Sequence, residues 1–183
     1  YSVSEERFFG DDELIIDAEG VRRDSIGNKP LEWVEEKNYF FKMSNYQQRL
    51  IDYINEHPDF ILPDFRKNEV LGFLRQPLQD LCISRPKSRL AWGISLPFDD
   101  DYVTYVWFDA LVNYVTGALS KKFSDGSSAW PADYHLIGKD ILITHSVYWT
   151  TMLFALGLEQ PRHILAHGWW LNDGAKMSKS SGT

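Results

Sequence analysis

The 183-residue sequence predicts an α/β protein with a parallel sheet and crossover helices, preceded by a smaller mixed α+β region. Three observations carry that prediction. Between Tyr102 and Trp170, apolar β-forming runs alternate with helical periodicity in the order strand, helix, strand, helix, strand. Upstream of Tyr102 the periodicity is helical and is interrupted by Pro58 and Pro77. A hydrophobic content of 44% with 7 tryptophans is that of a chain with a core to build.

Residues 1 to about 37 are polar and irregular, with a short strand expected within Tyr1–Phe9 and a turn-rich loop from Asp24 to Pro30. From Asn38 the pattern tightens. Tyr39-Phe40-Phe41 is an apolar burst, and Ser44 with Gln47 matches a capping box opening a helix. Tyr46, Leu50, Tyr53 and Ile54 form one stripe of that helix. A second helix is expected over Asn68–Arg75, with Val70, Leu71 and Leu74 inward. Ser84-Arg85-Pro86-Lys87-Ser88-Arg89 is the most basic stretch. It reads equally as a solvated connector or as a segment at RNA or a domain junction.

Tyr102–Phe108 predicts a buried strand, with Asp109 capping a helix from Ala110 to Leu119. Tyr134–Gly138 is the second strand. A helix from Asp140 to Leu156 ends at Gly157, and His163–His167 is the third strand. Ligands of such sheets bind beyond the strands' carboxyl ends, here marked by Trp107, Gly138 and His167-Gly168.

Ile141, His145 and Trp149 share one helix face at i, i+4, i+8. That face is either core or a pocket wall with one polar handle. Converging with Trp107 and Tyr114, it would enclose an apolar ligand. Polarisable rings suit a thioether, at roughly 0.3–1.5 kcal/mol per sulfur–aromatic contact, and Tyr114 and His145 each have a hydrogen to offer the sulfur. Gly138 permits close backbone approach to a nucleotide, while Asp140 either caps its helix or accepts from ribose hydroxyls. Lys176-Met177-Ser178-Lys179-Ser180 is a small-residue loop whose ammonium groups, hydroxyls and backbone N–H groups suit phosphate. Its plainer reading is a solvated basic tail.

Composition narrows the function classes. Lys+Arg 19 against Asp+Glu 26 gives a net charge of −7, which argues against a simple polyanion-binding module. Cys82 alone provides no disulfide framework and fits a reducing compartment. No apolar run approaches membrane-spanning length, so no membrane association is expected.

Tyr105-Val106-Trp107-Phe108-Asp109-Ala110-Leu111 with Asn113-Tyr114, Gly138-Lys139-Asp140-Ile141-Leu142, His167-Gly168-Trp169 and Lys176–Gly182 together resemble the methionyl-tRNA synthetases of class I. Asn38–Phe41, Ile83–Pro86 and Trp92–Ile94 resemble that family's connecting insertion, so the likeness covers essentially the whole chain. It implies the second half of a split Rossmann-like nucleotide-binding domain at residues 106–183, after a connective insertion at 1–105. It also implies a methionine pocket of Trp107, Leu111, Tyr114, Ile141, His145 and Trp149. An ATP site of Gly138, Asp140, the backbone near Trp170, and Lys179 follows in the same way, with Lys179 and Lys176 as the catalytic charges.

The implied partners are L-methionine, Mg-ATP and methionine tRNA, with a bacterial cytoplasm or an organellar matrix as the setting. The alternative is a non-catalytic synthetase-like fragment that binds RNA or protein. Zinc-bearing members carry Tyr-Cys-x-x-Cys where this sequence has Tyr1-Ser2-Val3-Ser4-Glu5, so no structural zinc is expected. The family's His-x-Gly-His phosphate loop and its anticodon-reading domain are not in the sequence. The chain is therefore expected to be a piece of a longer polypeptide carrying half a site.

Overall fold

A computed structural model describes residues 2, 9, 14–25, 28–33, 36–121, 123–172 and 175–177, with backbone alone at Ala175 and Lys176. The chain divides into two compact units, Tyr1–Lys37 and Asn38–Thr183.

In the first unit, β1 (Leu14–Ile16) and β2 (Arg22–Asp24) form an antiparallel hairpin. Asp17 closes its turn, accepting from the Val21 backbone N–H at 2.8 Å and from Arg23 Nε at 2.6 Å. Buried Ser2 donates to Asp24 at 3.1 Å. The strand expected within Tyr1–Phe9, the Ile26-Gly27 pair of the loop, and Glu5 of the zinc comparison lie outside the described residues. Among the described residues no cluster of His, Cys, Asp and Glu has the makings of a metal site.

The second unit opens with β3 (Phe40–Phe41), a 3-10 turn at Met43–Tyr46 and helix α1 (Gln47–Glu56). The predicted stripe holds: Leu50 and Ile54 are fully buried, and Tyr46 and Tyr53 pack against the same core. The capping box does not form. Ser44 Oγ donates to Asp80 at 2.6 Å, while Gln47 Nε2 donates to the Leu74 and Gln76 carbonyls and its Oε1 accepts from the Leu78 N–H. Tertiary partners have replaced the local ones. Helix α2 runs over Asp64–Phe73, starting four residues before the expected position because Pro63 supplies an extended N-cap.

The parallel sheet has the order β4 (Ile61–Leu62), β10 (His163–His167), β9 (Tyr134–Gly138). Two of its strands are the predicted ones. The third, β4, is two residues long and too short to show periodicity. The strand expected over 102–108 is instead β8 (Asp99–Thr104), which pairs antiparallel with β6 (Ser84–Pro86) and β7 (Ser95–Leu96). Helix α3 (Val106–Leu119) begins immediately afterwards, with Tyr105 at the N-cap and Asp109 inside the first turn rather than capping it. Phe108 N and Asp109 N donate to the Tyr105 carbonyl at 3.0 and 3.2 Å, so a run of strong β-formers is folded into a helical turn.

The basic stretch is not a plain solvated connector. Arg85 lies within β6 at 3% exposure, its guanidinium 4.4 Å over the Tyr105 ring and 3.2 Å from Cys82 Sγ. β5 (Leu81–Cys82) pairs with β3.

From β9 the chain passes through a 3-10 turn at Lys139–Ile141 into a π-helical segment at Thr144–Trp149, continued by α4 (Thr150–Leu156). Gly157 ends it at φ 66°, a left-handed cap. Leu50, Ile54, Phe60, Ile61 and Val70 share one core with Ile137, Leu142, Val147, Phe154 and Ile164. The strands β11 (Leu171–Asn172) and β12 (Ala175–Lys176) form a closing hairpin.

Candidate active site

Helix α3 carries Trp107, Leu111 and Tyr114 at i, i+4, i+7, on one face. Leu111, at 1% exposure, packs with Val115, Trp149, Met152 and Leu153. Opposite stand His145 and Trp149, both buried, from the π-helical segment. Within this segment the Thr150 hydroxyl also donates to the His145 carbonyl at 3.3 Å. Tyr114 lies 5.7 Å from His145 and 6.0 Å from Trp149, centroid to centroid. Leu111, Tyr114, His145 and Trp149 are thus brought together. Trp107 is half-buried one turn before Leu111 and makes no ring contact with the other three. The side chain of Ile141 packs against the main core, while its carbonyl serves the site.

Hydrogen bonding fixes the protons. His145 Nδ1 sits 2.9 Å from the Ile141 carbonyl, which only accepts, so Nδ1 carries the hydrogen. Burial holds the imidazole's pKa below its ordinary value, favouring the neutral ring. Nε2 is then an acceptor, and Tyr114 donates its O–H to it at 2.9 Å. The two polar handles are engaged with each other. Burial raises the Tyr114 pKa, so the phenol keeps its proton.

Two further rings belong here that the sequence reading did not single out. His135, at 5% exposure, lies 4.4 Å from the Tyr114 ring and accepts from Trp149 Nε1–H at 3.1 Å. Burial, and then the neighbouring His145, lower its pKa to about 4. Trp130 packs edge-on to Trp149 at 6.0 Å and donates to the Glu159 carbonyl. The signal for His135 was available in the strand period: residues 135 and 137 share the inward face of β9.

At the carboxyl ends of β9 and β10, where Gly138 and His167 are in register, a cleft of about 340 Å³ is lined by Gly138, Asp140, His167, Trp169, Trp170 and Met177. Three predicted nucleotide residues therefore meet in one place. A Cβ added at Gly138 would lie 2.5 Å from Asp140 Oδ1, so the missing side chain leaves room for that carboxylate. Gly138 itself occupies the N-cap of the following turn, with Asp140 exposed one step inside it. Lys139 Nζ stands 4.0 Å over the Trp169 ring. The Trp170 carbonyl accepts from Met177 N at 2.9 Å, tying the closing hairpin to the cleft. The backbone of Lys176 lies in β12. Lys179 and the rest of 178–183 lie outside the described residues. A larger open hollow of about 810 Å³ between α1 and α4, lined by Arg49, Tyr53 and Gln160 among others, shares no residue with either feature.

Residues 17–183 match the family described as class I tRNA synthetases (M). The chain belongs to that family. It is 56% identical over 163 residues to a methionine–tRNA ligase of Clostridium perfringens, covering 84% of this chain and 24% of the relative. With the methionine–tRNA ligase of Rhizobium meliloti it is 46% identical over 184 residues, covering 100% of this chain and 35% of that one. Among solved structures, Mycobacterium tuberculosis methionyl-tRNA synthetase bound by methionyl-adenylate superposes with a TM-score of 0.84 at 44% identity, over 100% of this chain and 35% of the other. This synthetase chain thus spans roughly a quarter to a third of the length of these relatives.

Proposed function

We propose that the polypeptide to which this chain belongs is a methionine–tRNA ligase. In this reading the chain supplies the methionine pocket and one side of the ATP site. The observation that carries it is the neutral ring cluster of Tyr114, His145 and Trp149, with Leu111 behind it, one short turn from the Gly138–Asp140 cleft. A cluster without charge accepts an unbranched thioether. It disfavours lysine, whose ammonium would be buried unpaired at several kcal/mol.

Methionine, Mg-ATP and methionine tRNA are the substrates in this account. The methionine carboxylate attacks the α-phosphorus of ATP, forming the acyl phosphate bond of methionyl-adenylate as pyrophosphate leaves. A ribose hydroxyl at the 3′ end of the tRNA then attacks the acyl carbon and AMP departs. No protein nucleophile is required, so catalysis consists of positioning and charge stabilisation.

Trp107, Leu111, Tyr114, His145 and Trp149 hold the amino acid, and Ile141 contributes through the carbonyl that orients His145. Gly138, Asp140 and the backbone at Trp170 hold the nucleoside, and Lys179 with Lys176 meets the phosphates. Residues 106–183 form the second half of the catalytic domain, and residues 1–105 the connective region, with α1, β4 and α2 packed into the same core. The remaining half-domain and the anticodon-reading region come from the same polypeptide, working in a bacterial cytoplasm.

Amino-acid-dependent exchange of pyrophosphate into ATP by the full-length protein tests this reading. Methionine should drive exchange above the other nineteen amino acids. Exchange driven by another amino acid, or by none, would refute it.

A further inference from the structure

We propose that His135 is a positioning residue of the methionine pocket, acting through the hydrogen bond it accepts from Trp149. This rests on the assignment of the ring cluster to methionine. Trp149 is fully buried, and an indole N–H has one bond to make and no second donor to rearrange. Its hydrogen points to His135 Nε2 at 3.1 Å, across the gap between α4's approach segment and β9. The same imidazole lies 4.4 Å from Tyr114 and 6.0 Å from His145. One strand residue therefore touches both the wall and the ring that bears the polar handle.

The role needs an acceptor at Nε2. Two features provide it: the strand direction turns residue 135 inward with Ile137, and the buried ring stays neutral, as its depressed pKa of about 4 reflects. Removing the acceptor strands a buried N–H, and the indole is then free to tilt toward another partner. Tyr114, packed on the same ring, then stands against an indole no longer held in place. The chemistry at phosphorus is untouched by either change.

The test uses the full-length enzyme with His135→Phe, which keeps a ring and deletes the acceptor, and His135→Gln, which restores an acceptor near the Nε2 position. The KM for methionine should rise about tenfold in His135→Phe, with kcat and the KM for ATP within about twofold of wild type. His135→Gln should bring the methionine KM back to within about threefold. In ¹H–¹⁵N spectra the Trp149 indole resonance, identified with Trp149→Phe, should move upfield in His135→Phe and return in His135→Gln while the other indole resonances stay in place.

An unchanged methionine KM alongside a displaced Trp149 resonance would overturn the proposal, leaving the bond a packing feature only. Equal loss in both variants would overturn it as well. Should His135→Phe fail to accumulate, His135→Asn, whose shorter amide falls short of the indole, carries the same expectation. Wild-type enzyme that does not activate methionine would instead refute the pocket assignment itself, so the two failures are distinguishable.

Discussion

Gly138 shows how a residue with no side chain is fixed by its neighbours. A Cβ there would meet Asp140 Oδ1 at 2.5 Å and His167 Cε1 at 4.0 Å. The carboxylate has to swing, because the β9 backbone is held in register with β10. Gly138→Ala in the full-length enzyme should therefore raise the KM for ATP by about tenfold, the cost of one misplaced charge-assisted hydrogen bond. The KM for methionine should stay near wild type, which pyrophosphate exchange at varied ATP and varied methionine separates.

Which residues converge was largely legible beforehand. Gly138, Asp140 and Trp170 meet in one cleft, and Leu111, Tyr114, His145 and Trp149 in one cluster. His135 was missed because a histidine in an apolar strand looks like any inward residue until its partner is known. That partner, Trp149, comes from an element fourteen positions away. The pairing of Tyr114 with His145 was missed for the same reason. Spacing reports which residues share a face, not which donor meets which acceptor.

At the level of elements, the misreadings have two physical origins, tertiary contacts that override local preference and strands too short to show a period. Val106-Trp107-Phe108 carries every β-forming mark, yet Tyr105 caps a helix there, and Phe108 packs from that helix against the core of Leu111 and Trp149. The strand β4 escaped notice because two residues, Ile61–Leu62, have no period to display. The capping box at Ser44 lost to Asp80 and to carbonyls at the end of α2.

Strong punctuation, by contrast, read correctly. Gly157 terminates α4 with φ 66°, and an added Cβ would touch nothing within 4 Å. Gly157→Ala should consequently destabilise through backbone conformation alone, by about 1–2 kcal/mol. Urea unfolding of the full-length protein should show a lower midpoint with an unchanged slope. A midpoint at the wild-type value would mean that the left-handed cap is not held in solution.

On the scale of the whole molecule, two arrangements are joined by a single segment. Residues 138–149 leave the sheet at the Gly138–Asp140 cleft and, one 3-10 turn later, enter the π-helical wall of the ring cluster. In the proposed function this one stretch of backbone contributes to both the amino-acid side and the nucleotide side of the site, with α3 adding Leu111 and Tyr114 to the first and His167, Trp169 and Trp170 adding to the second. The chain spans only 24–35% of the length of these relatives, and in that function the remaining phosphate contacts come from the same longer polypeptide.

The measurement that bears most directly on the central claim is kcat/KM for methionine and for its carbon isostere norleucine, in the full-length enzyme and in Tyr114→Phe. That substitution keeps the ring at the cluster and deletes the hydroxyl now bonded to His145. If the bound thioether takes the Tyr114 hydrogen in place of His145 Nε2, discrimination between the two amino acids should narrow by about 0.5–1.5 kcal/mol, or roughly two- to tenfold. Wild-type kcat/KM for both substrates in the variant would contradict the account and place methionine elsewhere.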